Sequence, residues 1–495
     1  MSQENTTSKQ PLIRYVNRQQ MSWRAVDVDK LIAEDHRARA IWTLVGRLDL
    51  SPFYRAIESS TEEGGRPAFD PQLLISLWVY AYSQGIGSAR EVARRCEYDP
   101  AFQWLTGLTE VNYHTLADFR VEKQGELDEL FTQVLAALSK EGLITLEQVM
   151  QDGTKIKALA SSRSYRYEGA IRKHLEQARQ QVAAMGDPRN DESSPRAKQA
   201  QARARRQQQE RLESALEELE KLQKRRAGER GAKREARVST TDPQARVMKQ
   251  SDKGFALSYN AQISTDAAHG LIVGVAVTAE ANDCEQLLPA VDRLEQRLNK
   301  APKQMVADRG YTTRQNIEKM ASREIDFLGS MRHVPRGANL PNQLPPSVFL
   351  YQPENDRCVC PEGKILHWQR QRKVGHGMTY HVYEARFEDC QTCTRKMECC
   401  PDNKKHGRSV VQLEESALVM AFRQKMAIEE VQQRYRRRAR IAEFCHAWIK
   451  TKLGLRQFHV RGLVKTQMEM LWACLTYNLQ NWIRLSKLRA TPAVT

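Results

Sequence analysis

The chain has 495 residues, room for roughly two to four domains. Its 77 Lys and Arg exceed its 60 Asp and Glu, and the net charge of +17 favours a polyanionic partner, nucleic acid before membrane. A 41% hydrophobic share allows a real core. No apolar run approaches a membrane span and no apolar leader opens the chain, so a cytoplasmic protein without membrane contact is expected. Ten cysteines in such a compartment read as thiols or metal ligands rather than disulfides, and six fall between Cys358 and Cys400.

Residues 1–20 read as a disordered polar lead, and 21–140 as an all-helical domain. Asp35 is placed to cap a helix through Leu48. Asp70-Pro71 opens a strong helix with Leu73, Leu74, Leu77 and Trp78 on it. Ser88 caps the next, Ala89–Cys96, and Thr115 one that runs past Phe119. Short helices with tight polar turns, and Arg90, Arg94, Arg95 and Arg120 expected at the surface, suit a DNA-binding module of helix-turn-helix type; a packing bundle has the same pattern.

From Leu143 the period changes. Leu146–Asp152 reads as a strand ending in an acid, within a first core segment at 141–168. Residues 169–237 then show a/d spacing at Ile171, Leu175, Ala178 and Val182, and again at Leu212, Leu216 and Leu219. With the Gly186–Pro195 break between them, this predicts an inserted pair of long charged helices. The core resumes over 238–334. Phe255–Ile263 alternates, Leu271–Val277 is a continuous apolar run, and Asn282-Asp283 reads as a helix cap. Met305–Ala307 is a short strand running into Asp308, and a helix and the strand Ile325–Leu328 follow. The whole is an α/β arrangement with a mixed sheet.

Residues 335–415 carry Cys358-Val-Cys360, Cys390-Gln-Thr-Cys393 and Cys399-Cys400. Cys360, Cys390, Cys393 and Cys399 are the expected ligands of a structural zinc, with Cys358 and Cys400 as alternates. Cys96, Cys284, Cys445 and Cys474 read as core residues. Residues 416–488 hold a charged helix, Tyr435–Lys450, and a packing helix beyond Phe458. On the charged helix one acid, Glu443, stands among basic residues, and a seven-residue spacing puts Arg436, Glu443 and Lys450 on one stripe with Arg440 beside it.

Asp152, Asp308 and Glu443 therefore come from separate elements. Three such carboxylates can hold two divalent cations for phosphodiester chemistry. Here the sequence resembles the bacterial insertion-sequence transposases with a ribonuclease-H-like DDE core, in the branch whose last catalytic helix bears a Tyr-Arg-Glu-Lys signature. The resemblance rests on Gly65–Pro71 with Ser88–Glu91, Gln151–Thr154, Tyr259–Gln262, Asn282-Asp283, Ala307–Tyr311, Glu443 with Lys450, and Arg461-Gly462. It implies a ribonuclease-H-like mixed sheet carrying an all-helical N-terminal domain, a helical-hairpin insertion and a small Cys-rich insertion. It also implies Asp152, Asp308 and Glu443 as ligands of two Mg2+ or Mn2+ ions, and Lys450, Tyr435 and Arg438 as contacts to the DNA end. The signature usually sets Arg four and Tyr seven residues before Glu; here Arg438 is five and Tyr435 eight before it, and Arg436 and Arg440 lie nearer the stripe of Glu443. The activity implied is cleavage at terminal inverted repeats and transfer of a 3′-hydroxyl to target DNA, by a homodimer on double-stranded DNA. A catalytically inactive, transposase-derived DNA-binding protein is the alternative. An RNA-cleaving nuclease on the same core is disfavoured by the large helical additions.

Overall fold

A computed structural model of the chain describes residues 19, 21, 25–57, 67–184, 195–227, 235–331, 343–374, 378–402, 405–413 and 416–490. The polar lead up to residue 18, most of the 186–195 break and the Gly65-Arg66 end of one motif lie outside the described residues.

The N-terminal part is helical: α1 (Arg37–Val45), α2 (Ser51–Arg55), α3 (Pro71–Ser83), α4 (Ala89–Tyr98), α5 (Pro100–Thr106), α6 (Tyr113–Glu122) and α7 (Gln124–Lys140). α3 starts as its sequence predicts, with the Asp70 carboxylate accepting from the Gln72 N–H and Pro71 in the first turn. Ser88 likewise caps α4. Two caps differ from expectation. The His36 ring, not Asp35, accepts from the Ala38 N–H to start α1, and Asn112, not Thr115, accepts from the His114 N–H to start α6. In each case the acceptor two residues before a free amide takes the bond, so the helix starts later (α1) or earlier (α6) than predicted.

The central sheet follows. β1 (Gln148–Lys157) continues past Asp152, because Thr154 and Ile156 pair with Ala261 and Tyr259 across the sheet; the acid is therefore mid-strand, not at a strand exit. β2 (Tyr165–Tyr167) and β3 (Arg237–Ser239) pair antiparallel. They clasp the ends of a helical pair, α8 (Glu168–Ala183) and α9 (Pro195–Ala227). These helices meet through Ile171, Leu175, Ala178, Leu212, Ala215 and Leu219, a core of their own, as the a/d spacing predicts. β4 (Arg246–Lys249), β5 (Phe255–Asp266), β6 (Ile272–Thr278), α10 (Leu287–Leu298), β7 (Gln304–Ala307), α11 (Arg314–Ser322) and β8 (Asp326–Leu328) complete this region. The strands lie in the order β4-β5-β1-β7-β8, with β6 also on β5. β5 is antiparallel to β1, β4 and β6; β7 and β8 run parallel to β1.

A second, antiparallel sheet interrupts the chain: β9 (Leu350–Gln352), β10 (Arg357–Val359), β11 (Ile365–Val374), β12 (Met378–Ala385) and β13 (Ser409–Leu413), with short helices α12 (Phe387–Gln391) and α13 (Lys396–Cys399) after β12. α14 (Ala417–Ala427), α15 (Glu429–Thr451) and α16 (Leu463–Ala490) close the structure.

Strand alternation sets the two faces of the central sheet. Val149, Met305 and Phe327 join a large core shared with the N-terminal helices and α16. Met150, Val306 and Leu328 face the other way, against Val431 and Ala442 of α15. The N-terminal bundle and α16 share that one core, and the Trp472 indole donates to the Arg120 carbonyl. Arg120, expected at the surface, is buried at 4% exposure. Cys96, Cys445 and Cys474 are buried as expected, but Cys284 is exposed. Among the described residues no helix is long and apolar enough to cross a membrane.

Candidate active site

The register of β1 and β7 builds the site. Gln151 pairs with Ala307 in the parallel ladder, so the next residues, Asp152 and Asp308, stand side by side. Parity puts both on the face of Met150 and Val306, beneath α15. Arg438 of α15 reaches down to Asp152, Nη1 to Oδ2 3.2 Å, with both side chains 16% exposed. The Tyr435 ring lies 5.9 Å from the same guanidinium. Burial pushes the Asp152 carboxyl up to about 6; Asp308 and Asp283 push the same way, against Arg438 and the Gly153 N–H.

Cations rim the acids. Lys155 is half-buried, and burial lowers its pKa against the pull of Asp283, Asp152 and Asp308. Lys450 is also half-buried, and burial, Arg456 and Lys155 all lower its pKa. Cations crowded at one rim beside two carboxylates suit an anionic ligand that meets a metal there.

α15 settles which of its residues face the acids. Arg438, Ala442, His446 and Lys450 recur at spacings of four, along one inclined stripe. Ala442 is 2% exposed and packed on Met150, Val306 and Leu328, which fixes the rotation of the helix. Glu443, one residue on and about 100° round, is exposed and pairs with neither acid. Arg436 is exposed and bonds Glu429 and Gln432, and Arg440 is exposed. The structure thus brings together Asp152, Asp308, Arg438 and Tyr435, sets Lys450 at the rim, and leaves Glu443, Arg436 and Arg440 on the outer side.

One residue missed from the sequence, and one read there chiefly as a helix cap, belong here. The His446 Nδ1 is 4.0 Å from Asp152; burial, with Lys450 and Arg438, lowers its pKa to about 4, so its ring is neutral at pH 7. Its spacing of four from Ala442 and Lys450 was the available signal. Asp283 is the other. It does not cap α10, which starts at Leu287 behind Gln286 with no side-chain cap. Its Oδ1 instead accepts from Asn260 Nδ2 and Gln262 Nε2, each at 2.7 Å, with Lys155 Nζ at 3.5 Å.

In the Cys-rich sheet, the Lys364 N–H donates to the Cys360 sulfur and the Arg408 N–H to that of Cys390, each at 3.3 Å. Cys400 lies against Cys390 and Cys399, and burial pushes its thiol up to about 12. Cys393 is half-exposed, and Cys358 is buried in the core of that sheet. No group of three or more His, Cys, Asp or Glu among the described residues is arranged as a metal cage.

Two family models match the chain. Residues 26–122 match "Transposase domain (DUF772)" and residues 359–483, which include α15, match "Transposase DDE domain". The chain is a DNA transposase. A comparison with curated proteins finds no match. Among solved structures, the transposase aligns with a piggyBac transposase synaptic complex with hairpin DNA, determined by cryo-EM. The identity is 10%, over 94% of this chain and 82% of that one, with a TM-score of 0.25, too low to bear on fold or function. The DDE match begins after Asp152 and Asp308, so those two acids rest on the geometry described above.

Proposed function

We propose that this transposase binds the terminal inverted repeats of an insertion sequence, cuts a DNA strand there with divalent cations, and joins the freed 3′-hydroxyl to target DNA. The observation that carries the reading is the side-by-side pair Asp152 and Asp308 under a rim of Arg438, Lys155 and Lys450. The residues fit the metal. Magnesium binds through one or two carboxylates together with phosphate oxygens and waters, so the pair suffices without a closed protein cage. Asp152 and Asp308 would hold the ions, Mg2+ or Mn2+. Two such ions supply activation of the attacking water or 3′-hydroxyl and stabilisation of the leaving oxygen.

The chain's own groups do the rest. Arg438 and Lys450 hold the phosphates at the DNA end, and the Tyr435 ring braces Arg438. Glu443 would be the third carboxylate of this proposal, offered from the exposed side of α15 next to the buried Ala442. Arg436 and Arg440 contact the DNA backbone on the outer side. The strand order β6-β5-β1-β7-β8, antiparallel up to β1 and parallel beyond it, supports reading the core as ribonuclease-H-like. The N-terminal helices, with Arg90 and Arg94 exposed, bind the repeats, and two protomers hold two ends as a homodimer. The test is an end-containing duplex incubated with the protein. Mg2+ is expected to yield nicked and joined strands and EDTA none; equal cleavage in EDTA sinks the proposal.

Structural zinc is part of the same reading. Cys360, Cys390, Cys393 and Cys399 would be the ligands, with Cys358 and Cys400 as alternates. Backbone N–H donors on two of these sulfurs suit thiolate ligands. Protein purified without chelator is expected to carry close to one equivalent of zinc, and less than about a tenth of an equivalent refutes the site.

A further inference from the structure

Six motif residues outside the cation-bearing pair have a common role: Gly153, Asn260, Gln262, Asp283, Gly310 and Tyr311. All six meet in one network on the face of the sheet opposite α15. Gln262 is its crosspiece. Its Nε2 donates to Asp283 Oδ1 at 2.7 Å, while its Oε1 accepts from Gln151 Nε2 at 2.9 Å and from the Tyr311 hydroxyl. Ser264 donates to Gln151 Oε1 at 2.6 Å and continues the chain of bonds. Gln151, Asn260, Gln262, Ser264 and Tyr311 are all within 2% of full burial.

Two glycines make the room. A Cβ on Gly153 would stand 2.6 Å from both Asp283 Oδ1 and Gln262 Nε2, and 3.0 Å from Asn260 Oδ1, itself buried without a partner among the described residues. Such separations do not occur for real Cβ atoms, so residue 153 must be Gly for the network to lie flat on β1. A Cβ on Gly310 would stand 3.0 Å from Asp308 Oδ1 and 3.5 Å from the Asp283 Cβ. The Gly310 N–H donates to Asp308 Oδ1 at 2.7 Å, and the Tyr311 N–H to the Asp308 carbonyl at 3.3 Å. Asp308 thus sits in a turn held from behind, by Asp283 packed on Gly310 and by Gln262 bonded to Tyr311.

We infer that Gln262 and Asp283 are positioning residues for the cation-bearing pair, acting through the Asp308–Tyr311 turn. The inference rests on the assignment of Asp152 and Asp308 as that pair. A carboxylate that binds metal needs its orientation fixed by partners behind it, and losing such a partner costs about 10- to 100-fold in metal affinity or activity. Asp283 also adds negative charge beside both acids, which favours a divalent cation over the neighbouring lysine.

The test uses the full chain and Mn2+ as the probe, with binding read by electron paramagnetic resonance and thermal unfolding recorded in parallel. Asp283→Ala and Gln262→Leu are expected to weaken Mn2+ binding about 10- to 100-fold. Tyr311→Phe, which removes one hydroxyl and keeps the ring packing, is expected to weaken it in the same direction by less, with an unchanged melting temperature. A merely structural role would move the melting temperature and leave Mn2+ affinity alone. Asp308→Asn is the control. If it abolishes binding while all three variants bind as the native protein does, the positioning role is overturned and the cation site stands. If Asp308→Asn itself binds normally, the assignment of the pair fails first.

Discussion

Asp152→Asn and Asp308→Asn proteins are expected to lose cleavage of end-containing DNA by at least about three orders of magnitude, some 4 kcal/mol of barrier, while still binding that DNA. Asn keeps the size and one acceptor oxygen but gives up the charge that holds a divalent ion. Neither residue braces the core, so the loss is chemical. For Asp152 there is a second, opposite effect on stability in EDTA. Burial and the neighbouring acids raise its folded pKa to about 6, above the ordinary value of 3.8. A raised carboxyl stabilises the fold fully below the unfolded pKa, and that contribution is lost as pH rises through about 6. Asn stands in for the protonated form at every pH. The Asp152→Asn protein should therefore melt higher than the native one at pH 8, and the gap should close by pH 4. Melting curves at the two pH values check the sign; an Asn variant that melts lower at pH 8 contradicts the burial argument. Retained cleavage by either variant contradicts the site.

The placing of Asp152 and Asp308 on core strands was legible in part. Val149-Met150 and Met305–Ala307 signal two strands whose register sets the acids side by side, but the run of β1 past Asp152 depends on its pairing with β5. The helix was legible only in part. Periodicity gave Tyr435–Lys450 as a helix, but its rotation depends on what packs beneath. A two-residue alternative, Ala442 or Glu443 toward the sheet, is decided by the small side chain that fits over Met150 and Val306. That contact brings Arg438, not Arg436 or Arg440, to Asp152. Asp283 was hidden because an acid ahead of a helical run is usually a cap. Here the buried amides of Asn260 and Gln262, distant in sequence, recruit it. The Cys-rich sheet was also hidden, since β9 and β10 have three residues each and the ten-residue β11 is mostly polar.

Arg120→Met and Glu469→Gln are each expected to destabilise the protein by about 3–5 kcal/mol. The sequence suggests a surface arginine for DNA, but the structure buries it between the bundle and α16. Its Nη1 lies 3.7 Å from Glu469 Oε1, with side-chain exposures of 5% and 0%. The guanidinium also donates to the Gly87 carbonyl and stacks 4.7 Å from the Trp78 ring. Glu469 is held further by His459, whose Nδ1 is 2.7 Å from Oε1 and whose backbone N–H donates to Oε2 at 2.8 Å. Removing Glu469 leaves the Arg120 guanidinium buried without its counter-charge, and removing Arg120 leaves Glu469 to His459 alone, which is why a pair of modest net worth is costly to break. The double variant should cost clearly less than the sum of the single ones, because the second substitution removes the charge the first left unpaired. Urea unfolding of the four proteins measures this. The outcome also separates the two readings of Arg120. A DNA contact at its position would lower affinity for duplex and flatten its salt dependence with stability unchanged. A buried tie between the N-terminal helices and α16 lowers stability and leaves the salt slope as it was.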